Sequence, residues 1–470
     1  MDIQNTVFKR RFSTCFYKEL TLSLGKMSFA KDFVNTTRGD LYPVLTKSGG
    51  AIEEVSDGTY RVEKGEVRRF FTSFFPYASY EIKLGGGKAG FSFYYKNEYT
   101  DIIFSENAVE YLSCDIDDSA EINSDNISSF IVSARPGAFD IYTKSERGAL
   151  LLCTFEDERF ADSGVEKNFK KANVSLYAKE GASVLLAESY MDSGISIADI
   201  RPIRYENLEI MREGGRVFFT ASVRLEAGCY QGIFSWVPAS AEFSLCGALF
   251  FDAGNGVWNS DVASSLIYNR MVEKWQLWVC SFGNGHILGH AEFEGDVRFG
   301  LNVLDIELME KASEGDERTV FKGFEGDEDP DFFYDKENNR WLMSVCRLDP
   351  ACKGYRYFFF ESDDPFGGYK CIGKGLDGAE TGGSFVKIDG KIYFSCGNDF
   401  KKRANYRIYS ESGMSEMKFD YDDGGFRGWG SILPIKLGTR ERYFLITFDR
   451  HCGSAYNWSY GNLYLFEAEE

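Results

Sequence analysis

The stretch Asp329-Pro330-Asp331-Phe332-Phe333-Tyr334-Asp335, followed by a charged turn and then Trp341-Leu342-Met343-Ser344-Val345, decides the fold. An acid leads a short apolar run, a polar turn follows, and an aromatic opens the returning strand, which is the pattern of a half-buried hairpin. The same order recurs. Asp261 leads Val262-Ala263-Ser264-Ser265-Leu266-Ile267-Tyr268 and reaches Trp275. Glu380 leads Thr381-Gly382-Gly383-Ser384-Phe385-Val386 and reaches Tyr393, and Trp429 leads Gly430-Ser431-Ile432-Leu433 and reaches Tyr443. A looser copy begins at Asp199 (Asp199-Ile200-Arg201-Pro202-Ile203) and reaches Phe218 and Phe219. The lead residues 199, 261, 329, 380 and 429 stand 62, 68, 51 and 49 residues apart. All-strand units of this size are propeller blades of four strands each, and five of them predict a five-bladed β-propeller over residues 196–470.

Upstream the pattern changes. From Ala51 to Ser189 short alternating runs follow one another, among them Phe74 to Leu84, Gly90-Phe91-Ser92-Phe93-Tyr94-Tyr95, Ala149 to Phe155 and Val174 to Ala178. Period-two alternation broken by Gly, Asn or Asp predicts an antiparallel β-sandwich. The expected fold class is therefore all-β, with an N-terminal β-sandwich and its lead-in over 1–195 followed by the propeller. The Gly85-Gly86-Gly87-Lys88-Ala89-Gly90 stretch lacks the spacing and the Lys-Ser/Thr ending of a phosphate loop and reads as a hairpin turn.

Composition agrees with many short strands. The 470 residues include 42 Phe, 27 Tyr and 48 Gly but only 9 Pro. A net charge of −19 repels phosphate backbones and anionic lipid, so neither nucleic acid nor a membrane is expected as a partner. A neutral substrate such as a sugar fits better. The residues up to Met27 carry no apolar stretch of the length a secretory signal needs, and no membrane-spanning run follows. Eleven scattered cysteines without a C-x-x-C pair read as reduced thiols, so a cytoplasmic location is expected.

In a propeller the inner strands converge on the axis, so acids leading successive inner strands share one funnel. Asp261, Asp329 and Glu380 lead three adjacent blades. Each alone reads as a turn cap, but together their repulsion and burial would split their pKa values. Glycoside hydrolysis needs that split: one carboxyl protonates the leaving oxygen and an ionised one works opposite.

At these residues the sequence resembles the five-bladed glycosidases of glycoside hydrolase family 43 and the related fructosidases of family 32. Asp329-Pro330-Asp331 looks like the family's Asp-Pro motif. Glu380-Thr381-Gly382 through Gly390-Lys391-Ile392-Tyr393 looks like its Glu-Gly-Pro motif with the strand that follows, although Thr-Gly replaces Gly-Pro. The resemblance implies hydrolysis of short oligosaccharides, arabinose- or fructose-containing furanosides among them, by inversion. On it Asp261 is the general base, Asp329 the orienting acid and Glu380 the general acid.

A second registration stays open. Glu328-Asp329-Pro330-Asp331 is also similar to the Glu-Cys-Pro-Asp motif of the fructosidases, which would make Glu328 the acid, Asp199 the nucleophile and Asp261 a stabiliser, with retention. The resemblance requires no cofactor; a structural calcium is implied near His451.

Other side chains are candidates for substrate. Trp258 and Trp429 could stack on a sugar face, while Trp458 reads as core. Arg347, Arg407 and Arg427 could reach hydroxyls, with ion pairing between blades as the alternative use. Asn398-Asp399 reads as a turn. His286 and His290 have the i, i+4 spacing of a metal pair but no adjacent Glu, so no metal site is expected there. The partner is thus expected to be an oligosaccharide substrate. A non-catalytic sugar-binding propeller and a glycoside phosphorylase are the competing readings. The sandwich is open to binding sugar, walling the funnel or mediating homo-oligomerisation.

Overall fold

The computed structural model describes residues 3, 6–15, 44–55, 59–74, 78–95, 97–122, 126–135, 137–145, 148–160, 172–191, 196–225, 228–238, 243–309, 326–349, 351, 354–376, 380–398, 405–419, 426–449 and 462–468. They form two units. One comprises 19–193 with 254–258, and the other comprises 1–18, 194–253 and 259–470.

The first unit is one continuous antiparallel sheet of twelve strands, running from Gly148–Glu156 at one end to Asp117–Glu121 at the other. The sheet doubles back into a sandwich, because strands far apart along it pack face to face. Phe93 meets Phe139 at 4.6 Å, Phe104 stacks on Phe130 at 4.6 Å, and Tyr111 stacks on Phe155 at 4.8 Å. The alternation in Ala89–Tyr95 explains this: Phe91 and Phe93 point inward, and each buried ring contributes roughly 1.5–3 kcal/mol.

The second unit is the five-bladed propeller. Its inner strands are Ser196–Pro202, Asp261–Asn269, Glu328–Asp335, Glu380–Ile388 and Phe426–Leu437, each packed against the next, with the last against the first. Each blade continues outward through antiparallel hairpins. In the third, for example, Glu328–Asp335 is followed by Arg340–Asp349, Gly354–Ser362 and Lys370–Lys374. Burial falls along the same path. Seven of the nine residues of Asp261–Asn269 from its start are buried in a row, whereas Lys370–Lys374 is almost wholly exposed.

One boundary differs from the sequence expectation. The strand Val7–Cys15 pairs antiparallel with Asn462–Ala468, so the start of the chain supplies the outer strand of the fifth blade rather than a lead-in to the sandwich. Its local periodicity is weak because its partner lies at the other end of the sequence.

Every inner strand carries a bulge at the same place. Register shifts fall between Ala198 and Arg201, Val262 and Ser265, Glu328 and Asp331, Thr381 and Ser384, and Gly428 and Ser431. In four of the five the residue after the shift begins has positive φ: Asp199 at 53°, Ala263 at 52°, Asp329 at 50° and Gly382 at 63°. A bulge twists the strand and re-aims its side chains, and it sets the true register of the repeat. Asp199 and Asp329 are equivalent, whereas Asp261 and Glu380 correspond to Asp327, one residue before the shift.

At the axis the blades are tied by Asp331. Its carboxylate accepts from the Arg204 guanidinium, from Ser265 Oγ at 2.7 Å and from the Phe385 N–H at 2.7 Å. Arg204 also donates to the Phe385 carbonyl at 2.7 Å. Both ionic side chains are essentially unexposed, at 2% and 0%. Removing one member of a buried pair strands the other. Asp331→Ala should therefore lower unfolding free energy by about 3–5 kcal/mol in denaturant titration. Replacing both partners, as Arg204→Met with Asp331→Leu, should cost less, and a single variant of unchanged midpoint would show that the pair does not hold the axis.

Candidate active site

The acids before and after each shift face different surroundings. Those before it, Asp261, Asp327 and Glu380, are buried and held inside the protein. Asp327 receives Arg347 through Nε at 2.6 Å and a terminal nitrogen at 2.8 Å, and that guanidinium lies 5.3 Å from the Phe358 ring centroid. Glu380 Oε1 accepts from Arg407 at 2.7 Å and from the Tyr409 hydroxyl. Gly375 makes room for this carboxylate, since a Cβ there would overlap Glu380 Oε2. Asp261 bonds to Ser281, its register partner, and its Oδ1 has no hydrogen-bond partner among the described residues.

The same three residues join the blades through their backbones. The Cys229 thiol donates to the Asp261 carbonyl at 3.5 Å, Cys280 to that of Asp327 at 3.3 Å and Cys346 to that of Glu380 at 2.9 Å. Each bond crosses from one blade to the next. Burial, with nearby carboxylates adding to it, pushes the Cys280 and Cys346 thiols well up, so both keep the proton they donate.

A second set of acids lies at and just after the start of the shift: Glu328 and Asp199 are partly exposed, and Asp329 is buried. Glu328 Oε1 is 2.9 Å from His286 Nε2 and 3.4 Å from the Tyr355 hydroxyl. Its carboxyl is held above the usual range, chiefly by burial. The charges of Asp329 and Asp199 push the same way, and His286 opposes them. Asp329 accepts from Thr381 Oγ1 at 2.6 Å and the Gly382 N–H at 2.8 Å, with an Arg201 nitrogen 3.8 Å away. Arg201 also donates to the Pro330 carbonyl, which fixes the guanidinium beside the bulge. Asp199 is half-buried. Three blades therefore bring Asp199, Glu328, Asp329 and Thr381 to one place, with His286 added from the turn before Ile287–Phe293.

Of the candidates read from sequence, Asp329, Glu328 and Asp199 come together, whereas the Asp261 and Glu380 carboxyls are enclosed elsewhere. Trp258 is not at the propeller axis: it belongs to the sandwich unit and packs edge-on against Phe74 at 6.2 Å. Its apolar ring completes a cluster of Phe rings that the local sequence does not announce. Arg347 and Arg407 are ion-paired within their own blades, to Asp327 and Glu380, Arg347 from the neighbouring strand and Arg407 from one strand further out. The side chains of Arg427, Trp429 and Asn398, and all of Asp399, His451 and Trp458, lie outside the described residues.

His286 and His290 diverge. The first turns to Glu328, and the second stacks on Phe366 at 4.8 Å. Among the described residues no group of three or more His, Cys, Asp and Glu could hold a metal ion. Sequence reasoning missed Tyr355, Thr381 and Arg201. Only the positions of Thr381 and Arg201 beside a lead acid hinted at them.

No family model matches the chain, and no curated protein does. Among solved structures it is similar to a thermostable family-43 glycoside hydrolase at 11% identity, covering 72% of this chain and 96% of that one, with a TM-score of 0.33. It is also similar to an α-L-arabinofuranosidase from Clostridium thermocellum (14% identity, 57% and 89% covered, TM-score 0.34). An α-L-arabinofuranosidase from Podospora anserina in complex with cellotriose gives 13% identity, 58% and 91% covered and a TM-score of 0.38. Likeness this remote leaves function to the chemistry of the site.

Burial pushes the Asp261 carboxyl up to about 7, against the hydrogen bonds it receives. The fold therefore favours its neutral form, and stability should fall as pH rises from about 4 to 7, the window between its unfolded and folded values. Asp261→Asn should remove that slope and raise stability above pH 7, by at most about 4 kcal/mol. Urea midpoints at pH 5 and pH 8 decide this; parallel changes in variant and parent would refute it.

Proposed function

We propose that the protein is a glycoside hydrolase in which Glu328 donates the proton and Asp199 and Asp329 act as carboxylates across the same cleft. The observation that carries this reading is a partly exposed carboxyl, Glu328, pushed up by burial and by two neighbouring acids. A proton donor for a glycosidic oxygen needs such a group, held above the usual carboxylate range yet accessible. Asp329, faced by Thr381, the Gly382 N–H and Arg201, is suited to stabilising positive charge at the anomeric carbon. Asp199 comes from the first blade and is suited to attack that carbon.

The assignment follows the second of the two sequence registrations and so implies retention. Glu328 protonates the leaving oxygen while Asp199 bonds to the anomeric carbon. Water then releases the sugar, giving its proton to Glu328. The placement of Asp261 and Glu380 before the bulge supports this choice over the inverting pair, because their carboxyls are tied to Ser281 and Arg407 inside their own blades. As substrate we favour short oligosaccharides containing a furanose, a reading that rests on the likeness of the Asp329-Pro330 and Glu380-Thr381-Gly382 segments to furanosidase motifs.

The test is a panel of aryl and oligosaccharide furanosides with product NMR at early times. Retained configuration is expected, and inverted product would return the roles to a wider carboxyl pair. Glu328→Gln should lower kcat by about 10²–10⁴-fold, with the fold intact by circular dichroism. Turnover in that variant equal to the parent's would remove Glu328 from the mechanism. Saturable sugar binding with no turnover by the parent would make this a binding protein instead.

A further inference from the structure

We infer that His286 and Glu328 act as a coupled acid–base pair, with His286 as the residue that positions the Glu328 carboxyl and sets where it ionises. The inference rests on the reading of Glu328 as proton donor and adds to it a partner from another blade.

The geometry carries it. His286 Nε2 and Glu328 Oε1 are 2.9 Å apart, with side chains 25% and 21% exposed, so both are shielded but still in reach of solvent. The imidazole is held from several sides. Its ring packs edge-on against Phe282 at 4.2 Å, and its backbone carbonyl accepts the Gly326 N–H at 2.8 Å, two residues before Glu328. The turn that presents it is strained, with φ of 55° at His286, in a conformation that side-chain-bearing residues seldom adopt. Holding a histidine there without a contact to make would cost energy for no return.

The groups facing Glu328 leave this imidazole in a distinct position. Asp199 from the first blade and Asp329 from its own strand favour the protonated carboxyl, and so does burial. Tyr355, on the third strand of the same blade, offers a neutral hydroxyl at 3.4 Å. Cys280, from the second strand of the second blade, stays a neutral thiol. Among these, His286 alone can carry positive charge against the carboxylate. At 2.9 Å the charge on either group is felt by the other, so the two ionisations are joint properties of the pair.

Two measurements test this. The pH profile of kcat/KM should lose activity at high pH as Glu328 deprotonates. In His286→Gln and His286→Asn the high-pH limb should move up by about one pH unit, because the group opposing protonation of Glu328 is gone. Tyr355→Phe, which removes only a neutral donor at 3.4 Å, should move the limb by less than either His286 variant.

Independently of turnover, the chain has only three histidines, so imidazole resonances can be assigned by difference in the intact protein. The His286 resonances should show an inflection from Glu328 that disappears in Glu328→Gln. An unchanged limb in both His286 variants, or His286 resonances indifferent to Glu328→Gln, overturns the pair. The inflection in a chain that cleaves no glycoside would uphold the pair while the hydrolase reading fails.

Discussion

The propeller depends on one buried ion pair. Asp331 stands on the third blade, yet its oxygens are satisfied by Arg204 beyond the first inner strand, by Ser265 of the second blade and by the backbone of Phe385 in the fourth. A carboxylate without exposure is tolerable only when its acceptor sites are filled with good geometry. Filling them requires that several blades arrive in register. The pair is therefore better understood as a constraint on arrangement than as a source of net stability. It fixes which residues of neighbouring inner strands lie level with one another, and so which acids meet.

That level is displaced by the bulge in each inner strand. The acids just before it turn into the blades, where Arg347, Arg407 and Ser281 receive them, and their carbonyls accept thiols from the preceding blade. The acids at and after the start of the shift, Glu328, Asp329 and Asp199, lie near one another instead. Two surroundings, one tied inside a blade and one shared between blades, are thus given to adjacent residues of one strand. A displacement of one residue exchanges them.

This explains what the sequence made legible and what it hid. The five lead residues do fall at the five inner strands, because hydrophobic alternation and turn chemistry act locally and leave their mark at each copy. The aromatic richness is found in the strands, and Phe91 and Phe93 point inward as their alternation requires. The register was hidden, since the residue that takes positive φ is Asp, Ala, Asp or Gly in different blades and has no common type to recognise. Asp261 therefore looked equivalent to Asp329 when its true counterpart is Asp327. The partners of Arg347 and Arg407 lie 20 and 27 residues away, and Trp258 packs on Phe74, 184 positions earlier. Nothing local to those residues records such distances.

The strand Val7–Cys15 has a consequence for how the molecule comes to be. It stands far from its partner in sequence, Cys15 meeting Asn462. Closing so long a loop is entropically slow, and pairings of high sequence separation form late, so the fifth blade closes after the local hairpins of the others. Until then the segment is an unpaired strand with three basic residues, Lys9, Arg10 and Arg11, in a strongly acidic chain. Such charges blunt the tendency of an open strand to pair with other copies, so the charge of the strand answers the hazard that its late pairing creates.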